Sequence, residues 1–165
     1  MIRPLRLIGL GHDPFLDKLV KNVVKDNTIK GKITELKCQE DFIQRGYLIS
    51  QPIVADSKYD FIADINNTLY RIQCKSANLS LEQDYISFKA KTTNIRTMKD
   101  SYYTKDDIDY FYTYYDNISY LIPVEQASHG ENKLRFSAKV NNGNIKWAKD
   151  YELDTMLLKL KEVKN

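Results

Sequence analysis

Three polar residues, Asp60, Gln73 and Lys75, are spaced so that they can meet on one face of a β-hairpin. Within residues 59–76, two runs rich in β-branched and aromatic residues flank Asn66-Asn67. Asparagine tolerates the positive φ angles that a two-residue hairpin turn requires. Counting outward from that turn puts Asp60 opposite Gln73, with Lys75 one diagonal step away. Such neighbours lie about 5 to 8 Å apart, so a carboxylate, an amide and an ammonium come close enough to carry chemistry together.

The same register sorts every side chain of the hairpin, because alternate residues of a strand point to opposite faces. The polar face carries Asp60, Ile62, Asp64, Leu69, Arg71, Gln73 and Lys75. The other face is apolar and predicts core, with Tyr59, Phe61, Ala63, Ile65, Tyr70, Ile72 and Cys74. The alternative to a functional site is that the polar face is only the solvent-exposed side of an amphipathic sheet.

A helix before the hairpin can bring a second carboxylate to it. Hydrophobic spacing predicts a helix over about residues 31–45 that ends at Gly46. The side chains expected to face inward are Ile33, Leu36, Phe42 and Ile43. Glu35 lies one residue off that stripe, so its carboxylate is expected on the helix shoulder, beside the sheet. A surface glutamate favoured by the helix dipole would look the same.

The other predicted elements supply a sheet and its cover. Strands are expected over residues 47–54 and 84–91, and a hairpin over 108–115 and 118–124 turns at Asp116-Asn117. A polar linker is expected over residues 92–107, and a lysine-rich hairpin over 133–140 and 145–148. Helices are expected over residues 13–26 and 151–161, the latter with its apolar stripe at Leu153, Met156, Leu157 and Leu160.

Composition excludes several classes of protein. The 165 residues are 42% apolar, enough for a core, and their formal net charge is +3. The basic residues favour the two ends of the chain and the acidic ones the middle, which suits gripping phosphates at the periphery and holding a cation centrally. Ordinary scatter of surface charge would give the same distribution. Cysteine and histidine show no zinc-ligand spacing. No apolar run approaches the roughly 18 residues of a membrane span, so an intracellular, cytoplasmic protein is expected.

Glu35 on a helix, Asp60 at the start of a strand and Gln73-Cys74-Lys75 on the paired strand resemble the active-site pattern of the PD-(D/E)XK nuclease superfamily. The resemblance covers about residues 30–91. It is closest to small members in which glutamine replaces the second acid, including homing endonucleases, and next to Holliday junction resolvases. It implies an α+β fold, with a central mixed β-sheet flanked by helices. We expect one domain over residues 1–165, with a core of about 30–125. Helix 13–26 and the hairpin and helix of 132–161 would grip DNA or serve assembly.

The resemblance also implies roles for these residues. Asp60 would bind Mg²⁺, for which Mn²⁺ can substitute, and Glu35 would be a further ligand, directly or through water. The backbone carbonyl of Cys74 and the amide of Gln73 could supply more oxygens. Lys75 would touch the attacking water or the scissile phosphate, since an amine near a divalent cation suits either a general base or an electrostatic role. Asp64 and Arg71 could orient these groups or meet phosphate, although a cross-strand ion pair is the commoner role.

The sequence departs from the family pattern at two positions. Tyr59 stands where proline usually precedes the first acid, at a position that does no chemistry. Gln73 stands where a second acid is usual, and an amide oxygen brings no charge. The site therefore holds two acids rather than three, which bears on its metal affinity and on the number of metals bound.

The function implied by the resemblance is metal-dependent cleavage of double-stranded DNA at a specific site, as a homing enzyme performs it. Two alternatives stay open: a structure-specific Holliday junction resolvase, and a catalytically silent DNA-binding or assembly module. Cutting both strands usually needs two active sites, so a homo-oligomer, a dimer or a tetramer, is expected. The basic residues expected to contact DNA are Lys89, Arg96, Lys139 and Lys146.

Overall fold

The computed structural model describes residues 27–54, 56–94, 99–137 and 145–162. The helix expected over 13–26 and the tip of the lysine-rich hairpin lie outside these ranges. The helices described are α1 (Asn27–Gln44) and α2 (Leu153–Glu162), with short 3-10 helices at Val124–Gln126 and Ala148–Tyr151. The strands described are β1 (Leu48–Ser50), β2 (Phe61–Asp64), β3 (Leu69–Cys74), β4 (Asn78–Leu79), β5 (Tyr85–Lys89), β6 (Lys91–Asn94), β7 (Lys99–Tyr102), β8 (Tyr110–Tyr115), β9 (Ile118–Pro123) and β10 (Glu131–Arg135).

The β2–β3 hairpin has the predicted register. Asn66 and Asn67 adopt φ angles of 54° and 61°, as a two-residue turn of this hand requires. On either side of the turn, Ile65 and Thr68 exchange backbone hydrogen bonds of 2.9 and 3.1 Å. Phe61 pairs with Ile72, so the next pair outward is Asp60 with Gln73. The turn chemistry therefore sets the residues that face each other at the far end of the hairpin.

This hairpin belongs to a five-stranded mixed sheet with strand order β1-β2-β3-β8-β9. Its central pair, β3 and β8, is parallel, and the other neighbours are antiparallel. The hairpin of β8 and β9 turns at Asp116 and Asn117, both with positive φ, as predicted. The α+β class with a mixed central sheet and helices is thus confirmed.

Two layers cover the sheet. Both helices pack on one face, where Cys38 and Phe42 of α1 and Leu153, Met156 and Leu157 of α2 join the buried side chains of β2 and β3. The opposite face packs against a second, three-stranded sheet of order β10-β5-β4. No helix in the described part of the chain is long and apolar enough to span a membrane.

Helix α1 turns a different face to the sheet than its apolar spacing predicts. Three side chains that were expected to face inward are exposed, so this prediction was wrong for Ile33, Leu36 and Ile43. The buried side chains are Thr34, Cys38, Asp41 and Phe42. Asp41 is accommodated because the hydroxyl of Tyr112 donates to its Oδ2 at 2.6 Å and the hydroxyl of Ser119 donates to the same oxygen. Polar partners on the sheet therefore allow a face of α1 that carries a carboxylate to be buried.

Three strand predictions were wrong in extent or pairing. The first strand covers only Leu48–Ser50 of the predicted residues 47–54. Much of the expected linker over 92–107 is instead a two-stranded ribbon, in which β6 pairs with β7. Strand β10 pairs with β5 rather than with residues 145–148, which meet it through a single bridge between Arg135 and Trp147. The second strand of the ribbon, β7, ends directly before Tyr103.

Candidate active site

The end of the β2–β3 hairpin brings Asp60 and Gln73 into direct contact. Strand pairing extends to Asp60, whose backbone N–H donates to the carbonyl of Ile72 at 2.9 Å. Its side-chain Oδ2 accepts two hydrogen bonds of 2.7 Å, one from Nε2 of Gln73 and one from the backbone N–H of Cys74. Two donors on one oxygen fix the carboxylate in place.

The surroundings of Asp60 make its negative charge costly unless a cation is near. Burial raises the pKa of Asp60, the hydrogen bond from Cys74 lowers it, and the neighbouring charge of Glu35 raises it again. The charges of Lys75 and Lys32 act in the lowering direction, with smaller effects. Together these effects raise the pKa of Asp60, as is typical of a carboxylate placed where a positive charge is expected to bind.

Glu35 lies close enough for its charge to act on Asp60, because α1 is tied to the chain just after β3. Nζ of Lys30 donates to Oδ1 of Asn78 at 2.6 Å, and the hydroxyls of Thr34 and Ser76 are 3.3 Å apart. Glu35 is half-buried and accepts a 2.8 Å hydrogen bond from Lys32. Lys32 was not among the predicted site residues, and its exposed ammonium is the cation that neutralises Glu35 in this arrangement.

Lys75 lies on the same face as Asp60, and its backbone N–H donates to the carbonyl of Tyr112 at 2.8 Å. Burial lowers the pKa of Lys75, and the charge of Asp60 acts in the opposite direction. Its Nζ donates to the hydroxyl of Tyr103 at 3.1 Å. Tyr103 was missed by sequence reasoning, since its only signal was the pair Tyr102-Tyr103 inside an otherwise polar stretch.

Comparison with known proteins decides the family. A model of the family described as PD-(D/E)XK endonuclease matches residues 25–154. The chain belongs to this family. It is also similar to a solved structure of the bacterial homing endonuclease I-Ssp6803I, with a TM-score of 0.67, 20% identity and coverage of 85% of this chain and 97% of that one. At that identity the likeness concerns the fold. No protein with a curated description matches the sequence significantly.

PD-(D/E)XK endonucleases in general use divalent metals, and the donors present here fit such an ion. Within the described residues, no hydrogen bond reaches Oδ1 of Asp60, and the carboxylate of Glu35 and the carbonyl of Cys74 are further hard oxygen donors. Mg²⁺ commonly takes one or two carboxylates and keeps several waters. The described part of the chain contains no group of three or more His, Cys, Asp or Glu side chains placed to hold a metal. An ion at this site of the endonuclease would thus rely on two acids, a carbonyl and water.

In the structure, Gln73 turns its amide nitrogen, and not its oxygen, towards the Asp60 carboxylate. Its Nε2 points to Asp60 and also donates to the Cys74 carbonyl at 3.3 Å. The amide therefore contacts two of the oxygens that a metal would use. In the endonuclease as it stands, Gln73 serves as a hydrogen-bond donor at the place where a second acid is usual.

Several predicted residues lie away from this cluster. Lys89 is exposed on β5, in the second sheet, and Lys146 is half-buried with its Nζ donating to Asn132 at 3.0 Å. The predicted contacts Arg96 and Lys139 lie outside the described residues. The expected cross-strand pair of Asp64 and Arg71 is wrong, because Arg71 forms a two-pronged contact with the carboxylate of Asp109. Asp64 keeps a buried Oδ1 for which no hydrogen-bond partner exists among the described residues.

Proposed function

We propose that this protein is a metal-dependent endonuclease that hydrolyses phosphodiester bonds of double-stranded DNA at a specific target, as homing enzymes do. The observation that carries the proposal is the convergence of Asp60, Gln73 and Lys75 at one end of a hairpin, beside Glu35. Membership of the family supports the endonuclease class. The shared fold with a bacterial homing endonuclease supports the target-specific type.

In this proposal each residue has a defined task. Asp60 and Glu35 hold the metal together with the carbonyl of Cys74, and Gln73 keeps the Asp60 carboxylate in its binding orientation. Mg²⁺, or Mn²⁺ in its place, supplies Lewis-acid stabilisation of the charge that develops on the phosphate. Lys75 projects from the next position on the same face and contacts the attacking water or the scissile phosphate.

The ribbon of β6 and β7 is a surface that contacts the DNA duplex. A two-stranded antiparallel ribbon is narrow enough to enter the major groove of B-form DNA. This ribbon leads directly into Tyr103, whose hydroxyl contacts Lys75. DNA held against the ribbon therefore brings its backbone near the cluster. Lys89, Arg96, Lys139 and Lys146 are proposed to add phosphate contacts, and a dimer or tetramer provides the two sites that double-strand cleavage requires.

The test offers the protein both kinds of DNA target. A library of circular duplexes with randomised inserts and a synthetic four-way junction are incubated with wild type and with Lys75→Ala, in Mg²⁺ and in EDTA. We expect wild type in Mg²⁺ to linearise circles that share an insert sequence, and we expect no product from Lys75→Ala or in EDTA.

Each other outcome overturns part of the proposal. Cleavage of the junction without selection of an insert would replace the homing type by a structure-specific resolvase. Equal cleavage by wild type and Lys75→Ala would reject this site. No cleavage of any DNA, together with binding that weakens steeply as salt rises, would identify a silent DNA-binding module.

A further inference from the structure

Lys75 is held by an aromatic residue from a distant part of the chain. Its Nζ donates to the hydroxyl of Tyr103 at 3.1 Å and lies 4.7 Å from the centre of the same ring. A lysine side chain has a flexible four-carbon stem, so a single hydrogen bond leaves its amine several positions. Contacts with both the hydroxyl and the ring face restrict the amine to far fewer positions.

Tyr103 is itself firmly placed. Its ring is buried and meets Phe111 edge-on, at 5.4 Å between ring centres and 90° between planes. Phe111 is also buried and lies beside Gln73 in the parallel pair of β3 and β8. The next residue, Thr104, begins a tight turn in which its N–H and its hydroxyl both donate to Asp107 at 3.0 Å. The sheet on one side and the turn on the other hold the tyrosine ring in position.

We propose that Tyr103 is a positioning residue that aims the Lys75 amine at the reacting phosphate or water. This inference rests on the proposed function, because it gives Tyr103 a task only if Lys75 takes part in cleavage. Tyr103 acts through Lys75 and is not expected to bind DNA strongly itself. The ribbon that precedes it links engagement of DNA with the position of the amine.

Two substitutions separate the hydroxyl from the ring. Tyr103→Phe removes the hydrogen bond and keeps the ring, whereas Tyr103→Leu removes both contacts. The matched control is Tyr110→Phe, whose ring packs against Tyr70 on the opposite face of the sheet. The measurements are the single-turnover rate constant at saturating duplex in Mg²⁺ and the dissociation constant for the same duplex in EDTA.

We expect Tyr103→Phe to lower the rate constant by about tenfold and Tyr103→Leu by about a hundredfold, since a misplacement of about 1 Å can cost that much. Duplex affinity and the rate of Tyr110→Phe should stay at wild-type values. A wild-type rate in Tyr103→Phe together with loss of activity in Lys75→Ala would overturn the positioning role and leave the proposed function intact. A parallel loss of affinity and rate would make Tyr103 a DNA contact instead. Full activity in Lys75→Ala would reject Lys75 as part of the cleavage site, and the positioning role of Tyr103 with it, while leaving the endonuclease class itself intact.

A second readout requires neither metal nor DNA. The acylation rate of Lys75 by an N-hydroxysuccinimide ester, measured by mass spectrometry of the peptide that contains it, reports how well the amine is held. We expect this rate to rise severalfold in Tyr103→Leu and to stay unchanged in Tyr110→Phe. Equal acylation of Lys75 in wild type and Tyr103→Leu would contradict the positioning role.

Discussion

Replacing Gln73 by glutamate is expected to make the stability of the fold depend on a bound cation. The amide of Gln73 donates to Oδ2 of Asp60 at 2.7 Å, and Gln73→Glu puts a second carboxylate in the place of that donor. A hydrogen bond to a charged group contributes about 1.5 to 3 kcal/mol. Two like charges about 4 Å apart repel by about 4 kcal/mol at an effective dielectric constant of 20, and rotation of the new side chain relieves part of this. We expect the free energy of unfolding in EDTA to fall by about 3 kcal/mol.

The chain offers a matched control on α1. The amide of Gln44 donates to Oε1 of Glu40 at 2.9 Å, in an exposed i,i+4 pair. Gln44→Glu creates the same kind of repulsion in water, where it costs less than about 0.5 kcal/mol. Urea denaturation followed by circular dichroism, in EDTA and in Mg²⁺, measures both variants and wild type.

Magnesium should recover most of the stability that Gln73→Glu loses. A third carboxylate raises the affinity of the site for a cation, and a ligand at 100 times its dissociation constant stabilises the folded state by about 2.7 kcal/mol. The difference in unfolding free energy between Mg²⁺ and EDTA should therefore be larger for Gln73→Glu than for wild type or Gln44→Glu. If Gln73→Glu is as stable as wild type in EDTA, or if Mg²⁺ does not stabilise it, the carboxylate of Asp60 does not depend on the Gln73 amide in this way.

Two further predictions concern the scaffold. Tyr112→Phe removes a buried donor to Asp41 and should lower the free energy of unfolding by about 1.5 to 3 kcal/mol. Tyr114→Phe, on the same strand as Tyr112, loses only an exposed contact with Asn117 in the following turn and should change the free energy of unfolding by less than about 0.5 kcal/mol. Equal losses for the two variants in urea denaturation would show that the buried contact contributes little. Asn67→Ala places a side chain that disfavours positive φ in the hairpin turn and should cost about 1 kcal/mol. Asn67→Gly should match wild type, and a thermal melt in which the alanine variant is equally stable would contradict the role of the turn.

The pairing of Asp60 with Gln73 could be predicted because it depends on local sequence. A two-residue turn at Asn66-Asn67 sets the register, and the alternation of side chains then determines which residues share a face. Glu35 lies near enough to the hairpin for its charge to act on Asp60, but the face of the helix that is buried is not the expected one. Its helix was expected to bury its apolar side chains, and the residue adjacent to Glu35 that is actually buried is Thr34.

What could not be predicted depends on partners far away in the sequence. Asp41 is buried because Tyr112 and Ser119 satisfy its carboxylate, and hydrophobic spacing along α1 carries no trace of those partners. The contact between Lys75 and Tyr103 likewise follows from pairing of β6 with β7, which carries Tyr103 back to the sheet. Polar side chains in both strands of this ribbon made residues 92–107 look like a linker. Tertiary contacts thus decided the buried face of one helix and one neighbour of the site.

The cluster around Asp60 is proposed to perform metal-dependent cleavage of DNA. The most direct test of this proposal is the single-turnover cleavage rate, in Mg²⁺, of a duplex selected from the randomised library, for wild type and for Asp60→Asn. Asparagine keeps the shape of Asp60 and an oxygen that can accept the Cys74 N–H, but it removes the charge. If Asp60 holds the metal, the rate should fall by at least about a hundredfold, with duplex affinity in EDTA not reduced. Cleavage by Asp60→Asn at the wild-type rate would contradict this proposal.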